Sequence, residues 1–184
     1  MPNRLTRITT RGGDKGESSL ADGSRHSKSA PQFAALGDID ELNCVIGMVV
    51  TLLDAEHPLR VTLIDLQSRL FDLGGAIAMP GTPLSLAEET NALEQLVSQY
   101  TQRLGPLANF ILPGGSAAGA QMHFARAVCR RAERSVWQLL TDRPDDYDSS
   151  LGTFLNRLSD ALFVFARALN VGSPELLWQQ RPRT

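Results

Sequence analysis

The sequence predicts an all-α protein, a five-helix bundle behind an irregular polar N-terminal segment, in a single domain of 184 residues. Three observations support this class. After Ser29, apolar residues recur at steps of three and four in five segments, which is the spacing of amphipathic helices. Stretches that contain proline and glycine separate these segments. Apart from residues 5–9, no segment alternates apolar and polar residues as a half-buried strand does.

Each predicted helix has an apolar stripe and a signal at one of its ends. Pro58 ends the first helix, "MPGTP" ends the second, and "TDRPDDYDSS" ends the fourth. Ser85 with Glu88 forms a predicted capping box at the start of the third. A turn-rich connection from Gly105 to Ser116, with a short apolar run, leads to the fourth. The stripes are Ile39, Leu42, Ile46, Val49 and Leu53; Leu63, Leu66, Leu70, Leu73 and Ile77; Leu86, Leu93, Leu96, Tyr100 and Leu104; Met122, Ala125, Cys129, Ala132, Val136 and Leu139; and Leu151, Leu155, Leu158, Leu162, Phe165 and Leu169.

Within the domain we expect residues 1–30 to form an N-terminal arm, 31–172 the bundle and 173–184 a C-terminal tail. The net charge of −2 lacks the basic excess that nucleic acid or an anionic membrane surface requires. No window approaches the ~20 apolar residues of a membrane span, and the first ten residues lack an apolar leader. Cys44 and Cys129 are predicted to be reduced core residues. These features predict a soluble cytoplasmic protein.

The fourth predicted helix places charged side chains on a face opposite its apolar stripe. Arg126, Arg130 and Arg134 follow one another at steps of four, and like charges at that spacing repel by a few tenths of a kcal/mol. Either carboxylates of neighbouring helices offset the charge, or a polyphosphate does, because guanidinium groups match phosphate oxygens. The same face carries His123, Glu133 and Trp137, and the candidate carboxylates are Asp38, Asp40, Asp72 and Asp160.

The fifth predicted helix carries a second polar set. Asn156, Asp160 and Phe163 lie at steps of four and three, away from the leucine stripe. An amide and a carboxylate there could bind a ribose or position a basic partner. They could equally form a solvated face with one aromatic residue.

The polar N-terminal segment contains "RGGDKGESS", which invites comparison with a phosphate-binding P-loop. The P-loop requires lysine after the last glycine and a buried strand before the motif, and this chain has neither. Glycines 12, 13 and 16 could still form a backbone anion-binding nest. A flexible tail is the alternative. Both lysines of the chain, Lys15 and Lys28, fall in this segment.

Taken together, "TRGGDKGESSL", Lys28, "GDIDELNCVIG", "FILPGGSAAGAQMHFARAVCRRAERSV" and "LNRLSDALFVFAR" resemble the PduO-type ATP:corrinoid adenosyltransferases. The resemblance covers nearly the whole chain in the expected order. It implies transfer of the 5′-deoxyadenosyl group of ATP to the cobalt of cob(I)alamin, release of triphosphate, and Mg²⁺ bridging the phosphates. It also implies a homotrimer with interface active sites, a reductase that donates electrons, and an adenosylcobalamin-dependent enzyme as a candidate recipient of the product.

The resemblance also assigns roles to residues. Arg130, Arg134 and Lys28 would stabilise the leaving triphosphate. Asp40 would pair across the interface with Arg126, while Phe110 and Phe163 would line the corrinoid pocket and exclude the lower axial ligand. The implied ATP contacts are Thr10, Arg11, Gly12, Gly13, Ser18, Ser19, Lys28, Arg130, Arg131, Glu133, Arg134 and Asn156.

Three positions depart from the family pattern. Gln32 and Leu36 stand where members often have an arginine and an aromatic residue, and Ser27 replaces an apolar residue before the lysine. These departures bear on affinity and corrinoid preference more than on reaction type. Two other hypotheses stay open: a carrier that binds adenosylcobalamin without making it, and an inert oligomer in which the arginines form an interface salt network.

Overall fold

The computed structural model describes residues 9, 11–173 and 175–180. Helices dominate them, as the sequence predicts, and α1 packs between α2 and α4, while α5 packs between α4 and α3. No helix in these ranges combines the length and the hydropathy needed to cross a bilayer. The helices are α1 Pro31–Thr51, α2 Pro58–Ala78, α3 Ala87–Leu104, α4 Ala117–Asp142 and α5 Ser150–Leu169.

The predicted apolar stripes of α1, α2, α4 and α5 form one core. Met122, Cys129 and Val136 of α4 are fully buried, as are Leu155 and Phe165 of α5. Burying one such large apolar side chain contributes about 1.5–3 kcal/mol. The stripe of α3 is only partly confirmed, because its last three members are half-buried at the edge of the core.

The helices α4 and α5 approach closely where a glycine meets an aromatic ring. A Cβ added to Gly152 of α5 would lie 2.5 Å from Cε2 and 2.8 Å from Cζ2 of Trp137 on α4. Real carbon contacts settle near 3.5–4.0 Å. The absence of a side chain at Gly152 therefore lets the indole of Trp137 lie against the first turn of α5.

The predicted capping box at the start of α3 is wrong. The helix begins at Ala87 after Leu86, and no side chain caps it. Leu86 is buried, and its backbone N–H donates to Ser150 Oγ of α5 at 3.0 Å. The start of α3 is thus set by burial of a leucine against α5. Ser116 does cap α4, because its Oγ accepts from Gly119 N at 3.0 Å.

The two cysteines are free, as predicted, but they differ in environment. Cys129 is a core residue whose thiol donates to Leu155 O at 3.3 Å. Burial raises the pKa of this thiol far above its usual range. The prediction of a buried Cys44 is wrong, because Cys44 is exposed on the outer side of α1.

The N-terminal segment contains a small hairpin where the sequence predicted an irregular arm. Strands β1 Glu17–Ser19 and β2 Arg25–Ser27 pair antiparallel, with Ser18 opposite His26. Leu20 at the hairpin tip is buried, and Ala21 N donates to Ala78 O of α2 at 2.8 Å. The tip of the arm is therefore fixed to the end of the bundle. Of the predicted strand at 5–9, only Thr9 lies within the described residues.

The C-terminal tail also has defined structure in its described part. Residues 175–180 turn back onto the connection between α3 and α4, where Ile111 and Leu177 form an antiparallel bridge. This connection carries Phe110, whose side chain is 78% exposed. The apolar run at 110–112 thus lies at the surface, and residues 175–180 pack against it.

Candidate functional site

The predicted polar faces of α4 and α5 meet in one strip of surface. Trp137 lies over Gly152 at one end, and Arg126 lies over Phe163 at the other, with its Cζ 5.9 Å from the ring centroid. Because the two helices run antiparallel, this register places the intervening residues of each helix beside one another. The strip between the two ends comprises Arg130, Glu133 and Arg134 of α4 and Asn156 and Asp160 of α5.

The arginine row of this strip has no acidic partner in the part of the chain that the structure describes. Arg126, Arg130 and Arg134 form no ion pair there within 4.0 Å. Arg134 Nη1 donates instead to the backbone oxygen of Arg130 at 2.9 Å. The nearby carboxylate of Asp160 is taken by Arg157, at 3.0 Å. Ion pairs within the described part of this chain therefore do not offset the charge of the row.

Arg131 differs from its neighbours because carboxylates of α1 hold it. Its Nε donates to Asp38 Oδ1 at 3.0 Å, and its guanidinium also pairs with Glu41. Ser135 donates to the second oxygen of Asp38. Arg131 thus points toward α1 and ties α4 to that helix. The structure does not bring it into the row with Arg130.

An aromatic-walled cavity of about 590 Å³ adjoins the Arg126 end of the strip. Phe110 and Phe163, which lie far apart in sequence, form two of its walls. Phe110 is exposed together with its neighbours Leu107 and Trp178, and a contiguous exposed apolar patch of this kind marks a binding surface. The residues lining the cavity are Leu107, Ala108, Asn109, Phe110, Ile111, Arg126 and Phe163.

His123 lies behind this cavity, and its spacing in the sequence predicted only that it belongs to the charged face. It is 4% exposed, its ring centroid is 6.0 Å from that of Phe163, and neither ring nitrogen has a partner among the described residues. Burial, and then the charge of Arg126, hold the pKa of His123 below its usual value. Phe163 is therefore flanked by a neutral imidazole and by a guanidinium whose Nε is also buried without a described partner.

The glycine-rich turn of the arm gathers several predicted nucleotide contacts. Arg11 has a positive φ of 58°, and Gly16 one of 81°. Arg25 Nη2 donates to Gly12 O at 2.9 Å, and Lys28 N donates to Gly16 O at 2.8 Å. A Cβ on Gly13 would lie 2.8 Å from Lys28 Nζ, so the ammonium folds over this turn. Ser18 and Ser19 lie in β1, and Thr10 falls outside the described residues.

Asp40 lies on a different surface. It is exposed on α1 and borders an apolar cavity of about 550 Å³ between α1 and α2, which also includes Phe33 and Phe71. It forms no ion pair with Arg126 or with any other described residue. Within the described ranges, no group of three or more His, Cys, Asp or Glu side chains could hold a metal ion.

The fold and these surfaces define a class of protein: a helical bundle that presents fixed cations beside an aromatic cavity. The cations suit the anionic part of a ligand, and the cavity suits a large apolar part. Comparison with known families narrows this class. The family profile described as cobalamin adenosyltransferase matches residues 8–169. The chain belongs to the cobalamin adenosyltransferase family.

Relatives with this activity in their names cover almost the whole chain. A cobalamin adenosyltransferase of Cupriavidus metallidurans is 45% identical over 98% of both chains. The human corrinoid adenosyltransferase is 39% identical over 96% of this chain and 75% of its own length. A variant PduO-type ATP:corrinoid adenosyltransferase from Lactobacillus reuteri, solved in complex with cobalamin and ATP, superposes with a TM-score of 0.87 at 33% identity, covering 94% of this chain and 97% of that one.

Proposed function

We propose that this protein is an ATP:corrinoid adenosyltransferase, which moves the 5′-deoxyadenosyl group of ATP onto the cobalt of cob(I)alamin and releases triphosphate. One observation carries the assignment beyond family membership: the unpaired arginine row on α4 leads directly to the cavity walled by Phe110 and Phe163. A polyphosphate and a large flat macrocycle are the two ligand parts that such neighbouring surfaces fit.

In the proposed reaction, the cobalt(I) electron pair attacks the 5′ carbon of ATP. The bond between that carbon and its oxygen breaks, and the bonding electrons leave with the triphosphate. Negative charge therefore grows on the phosphates, where Arg130, Arg134 and Lys28 would stabilise the transition state. No proton transfer is needed, which suits a site whose buried histidine is held neutral.

Mg²⁺ is proposed to enter with ATP. Mg²⁺ is usually held by substrate phosphates together with one or two carboxylates rather than by an all-protein cage. Glu133, which lies in the strip and forms no ion pair within the described chain, is the carboxylate that would complete such a site. Bound there, the ion would neutralise phosphate charge alongside the arginines.

The corrinoid would lie against Phe110 and Phe163. Apolar rings at the lower face of the macrocycle offer the cobalt no axial ligand and leave no room for water. Loss of that ligand makes reduction of cobalt(II) easier, which is control of a metal cofactor through its axial position. A separate reductase would supply the electron.

We further propose a homotrimer in which Asp40 of one subunit pairs with Arg126 of the next. Neither Arg126 nor the exposed Asp40 has an ion-pair partner in the described part of the chain, which supports this pairing. The apolar cavity beside Asp40, with Phe71 72% exposed, would be covered by the neighbour. The arm would contribute to an interface site through Lys28 and its glycine turn.

The two free cysteines suit the reducing cytoplasm, which is the proposed location of the protein. An adenosylcobalamin-dependent enzyme is the proposed recipient of the product.

The test is an anaerobic assay with MgATP and chemically reduced cobalamin. The protein should form a light-sensitive alkylcobalamin with a changed visible spectrum, whereas a carrier or an inert oligomer would leave the spectrum unchanged. Arg130→Ala should lower turnover by about 10²–10³-fold, the effect of removing one donor to developing charge. Arg103→Ala is the matched control, because Arg103 is an exposed arginine on α3 that lies over the Tyr100 ring and forms no ion pair with the described residues.

The outcomes separate the hypotheses. No spectral change with the unaltered protein would refute adenosyl transfer. Equal turnover in Arg130→Ala and Arg103→Ala would leave the reaction in place but remove the triphosphate role of Arg130. A carrier would bind adenosylcobalamin without producing it, and an inert oligomer would show no rise in melting temperature with ATP.

A further inference from the structure

The described end of the chain is bonded to the loop that carries Phe110. Trp178 N donates to Phe110 O at 2.7 Å, and Asn109 Nδ2 donates to Trp178 O at 2.7 Å. Leu112 N donates to Leu176 O at 2.8 Å. Three hydrogen bonds thus hold residues 109–112 against residues 176–178. We name residues 175–180 the C-terminal strap.

The strap also supplies an aromatic neighbour for Phe110. The rings of Phe110 and Trp178 meet edge to face, with centroids 6.4 Å apart and planes at 68°. Such pairs are favourable beyond their buried area, because the positive edge of one ring meets the negative face of the other. Trp178 is 42% exposed, so its indole continues the apolar surface that Phe110 begins.

The start of the strap is anchored in the bundle by a buried arginine. Arg167 of α5 is 7% exposed, and its Nε donates to Glu175 Oε1 at 2.9 Å. The same guanidinium donates to Gly105 O at 3.3 Å, at the end of α3. Charge-assisted hydrogen bonds of this kind are about twice as strong as neutral ones. The strap is therefore a fixed element at its first residue.

From these contacts we infer that Trp178 is a positioning residue of the corrinoid site: it holds the exposed ring of Phe110 in the orientation that faces the cavity. A phenylalanine on a surface loop would otherwise sample several rotamers, and ordering such a side chain on binding costs conformational entropy. The contacts with the strap order the Phe110 ring when the protein folds, before any ligand binds. The inference rests on the proposed function, because it assumes that Phe110 contacts the corrinoid.

The test compares Trp178→Ala, Trp178→Phe and the control Gln179→Ala in the full-length protein. Gln179 is the exposed neighbour of Trp178 in the strap. Trp178→Ala should raise the KM for cob(I)alamin about tenfold while the KM for ATP changes less than twofold. It should also lower, by at least half, the fraction of bound cob(II)alamin whose visible and electron paramagnetic resonance spectra show loss of the lower ligand. Trp178→Phe should keep both the KM for cob(I)alamin and the fraction of cob(II)alamin without its lower ligand close to those of the unaltered protein.

Each result bears on the inference. Equal corrinoid KM and equal spectra in Trp178→Ala and Gln179→Ala would overturn it. A parallel loss of ATP and corrinoid binding that Trp178→Phe does not restore would also overturn it, since that pattern marks a general structural role. If the unaltered protein does not adenosylate cob(I)alamin, the proposed function itself fails, and this outcome is distinct from an active enzyme that tolerates Trp178→Ala.

Discussion

Whether Gly152→Ala stabilises or destabilises the protein should depend on the residue at position 137. Gly152 lies in the first turn of α5, and a Cβ there would lie 2.5, 2.8 and 2.9 Å from three atoms of the Trp137 indole. In the natural background the ring must move by about 1 Å to restore ordinary carbon contacts of about 3.5 Å. With leucine at position 137, that obstacle is removed.

The magnitudes follow from two opposing terms. Alanine in place of a helical glycine gains about 0.5–1 kcal/mol, whereas overpacking a filled site costs about 1–3 kcal/mol. Gly152→Ala alone should therefore destabilise the protein by about 1 kcal/mol, and by less if the partly exposed indole swings outward. In the Trp137→Leu background the same change should stabilise by about 0.5 kcal/mol, which gives a coupling energy of about 1.5 kcal/mol.

The assay is urea unfolding followed by far-ultraviolet circular dichroism, at one protein concentration because assembly would shift the midpoint. The four members of the cycle are the unaltered protein, the two single variants and the double variant. If Gly152→Ala has the same sign in both backgrounds, the Trp137 ring does not limit the approach of α5 to α4. The absence of a side chain at Gly152 would then not be what brings the two polar faces together.

Three further predictions concern titration, thiol reactivity and the glycine turn. Because burial and then Arg126 lower the folded-state pKa of His123 below 6.5, the unfolded chain binds more protons in acid. Stability should fall as the pH drops through 6.5, more steeply in the unaltered protein than in His123→Gln, as melting temperatures between pH 7.5 and 5.5 would reveal. A disulfide reagent should titrate one thiol, Cys44, in the folded protein and two in denaturant, since Cys129 is buried; two rapid thiols in the folded state would contradict this. Gly13→Ala should displace the Lys28 ammonium and raise the KM for ATP about tenfold, as expected for loss of one charge-assisted bond of about 1.5 kcal/mol; an unchanged KM would argue against a phosphate contact.

Most of the bundle could be predicted because its signal is local and repeated. In α4 and α5, apolar residues recur at helical spacing over about five turns, and all of these residues except the half-buried Leu169 are buried. The polar faces could be predicted in the same way, since spacing alone puts Arg126, Arg130 and Arg134 in a row. Spacing could not decide what neutralises the row. That required the contacts of each guanidinium, which separate Arg131, paired with Asp38, from the others.

The features that sequence reasoning missed depend on residues far apart in the chain. The hairpin strands are three residues long, too short for an alternating pattern, although Asp22–Gly23 was a turn signal between them. His123 is spaced with the charged face and is nevertheless buried, because Phe163 of α5 covers it. Trp178 was assigned to a tail, and the whole of α4 and α5 lies between it and Phe110 in the sequence. The apolar run Leu176, Leu177 and Trp178 in this tail was the available signal.

The position of α4 between α1 and α5 has a consequence for amide hydrogen exchange. Its inner residues, including Ala125 and Ala132, have no solvent exposure, so its amides should exchange only when the whole domain unfolds. The arginines of the row thus belong to a helix whose backbone amides should be among the slowest to exchange. Ligand binding would therefore slow the exchange of those amides only slightly. Any protection that ATP or a corrinoid confers should appear instead in the glycine turn at 11–16 and in the loop at 109–112, where most residues are exposed.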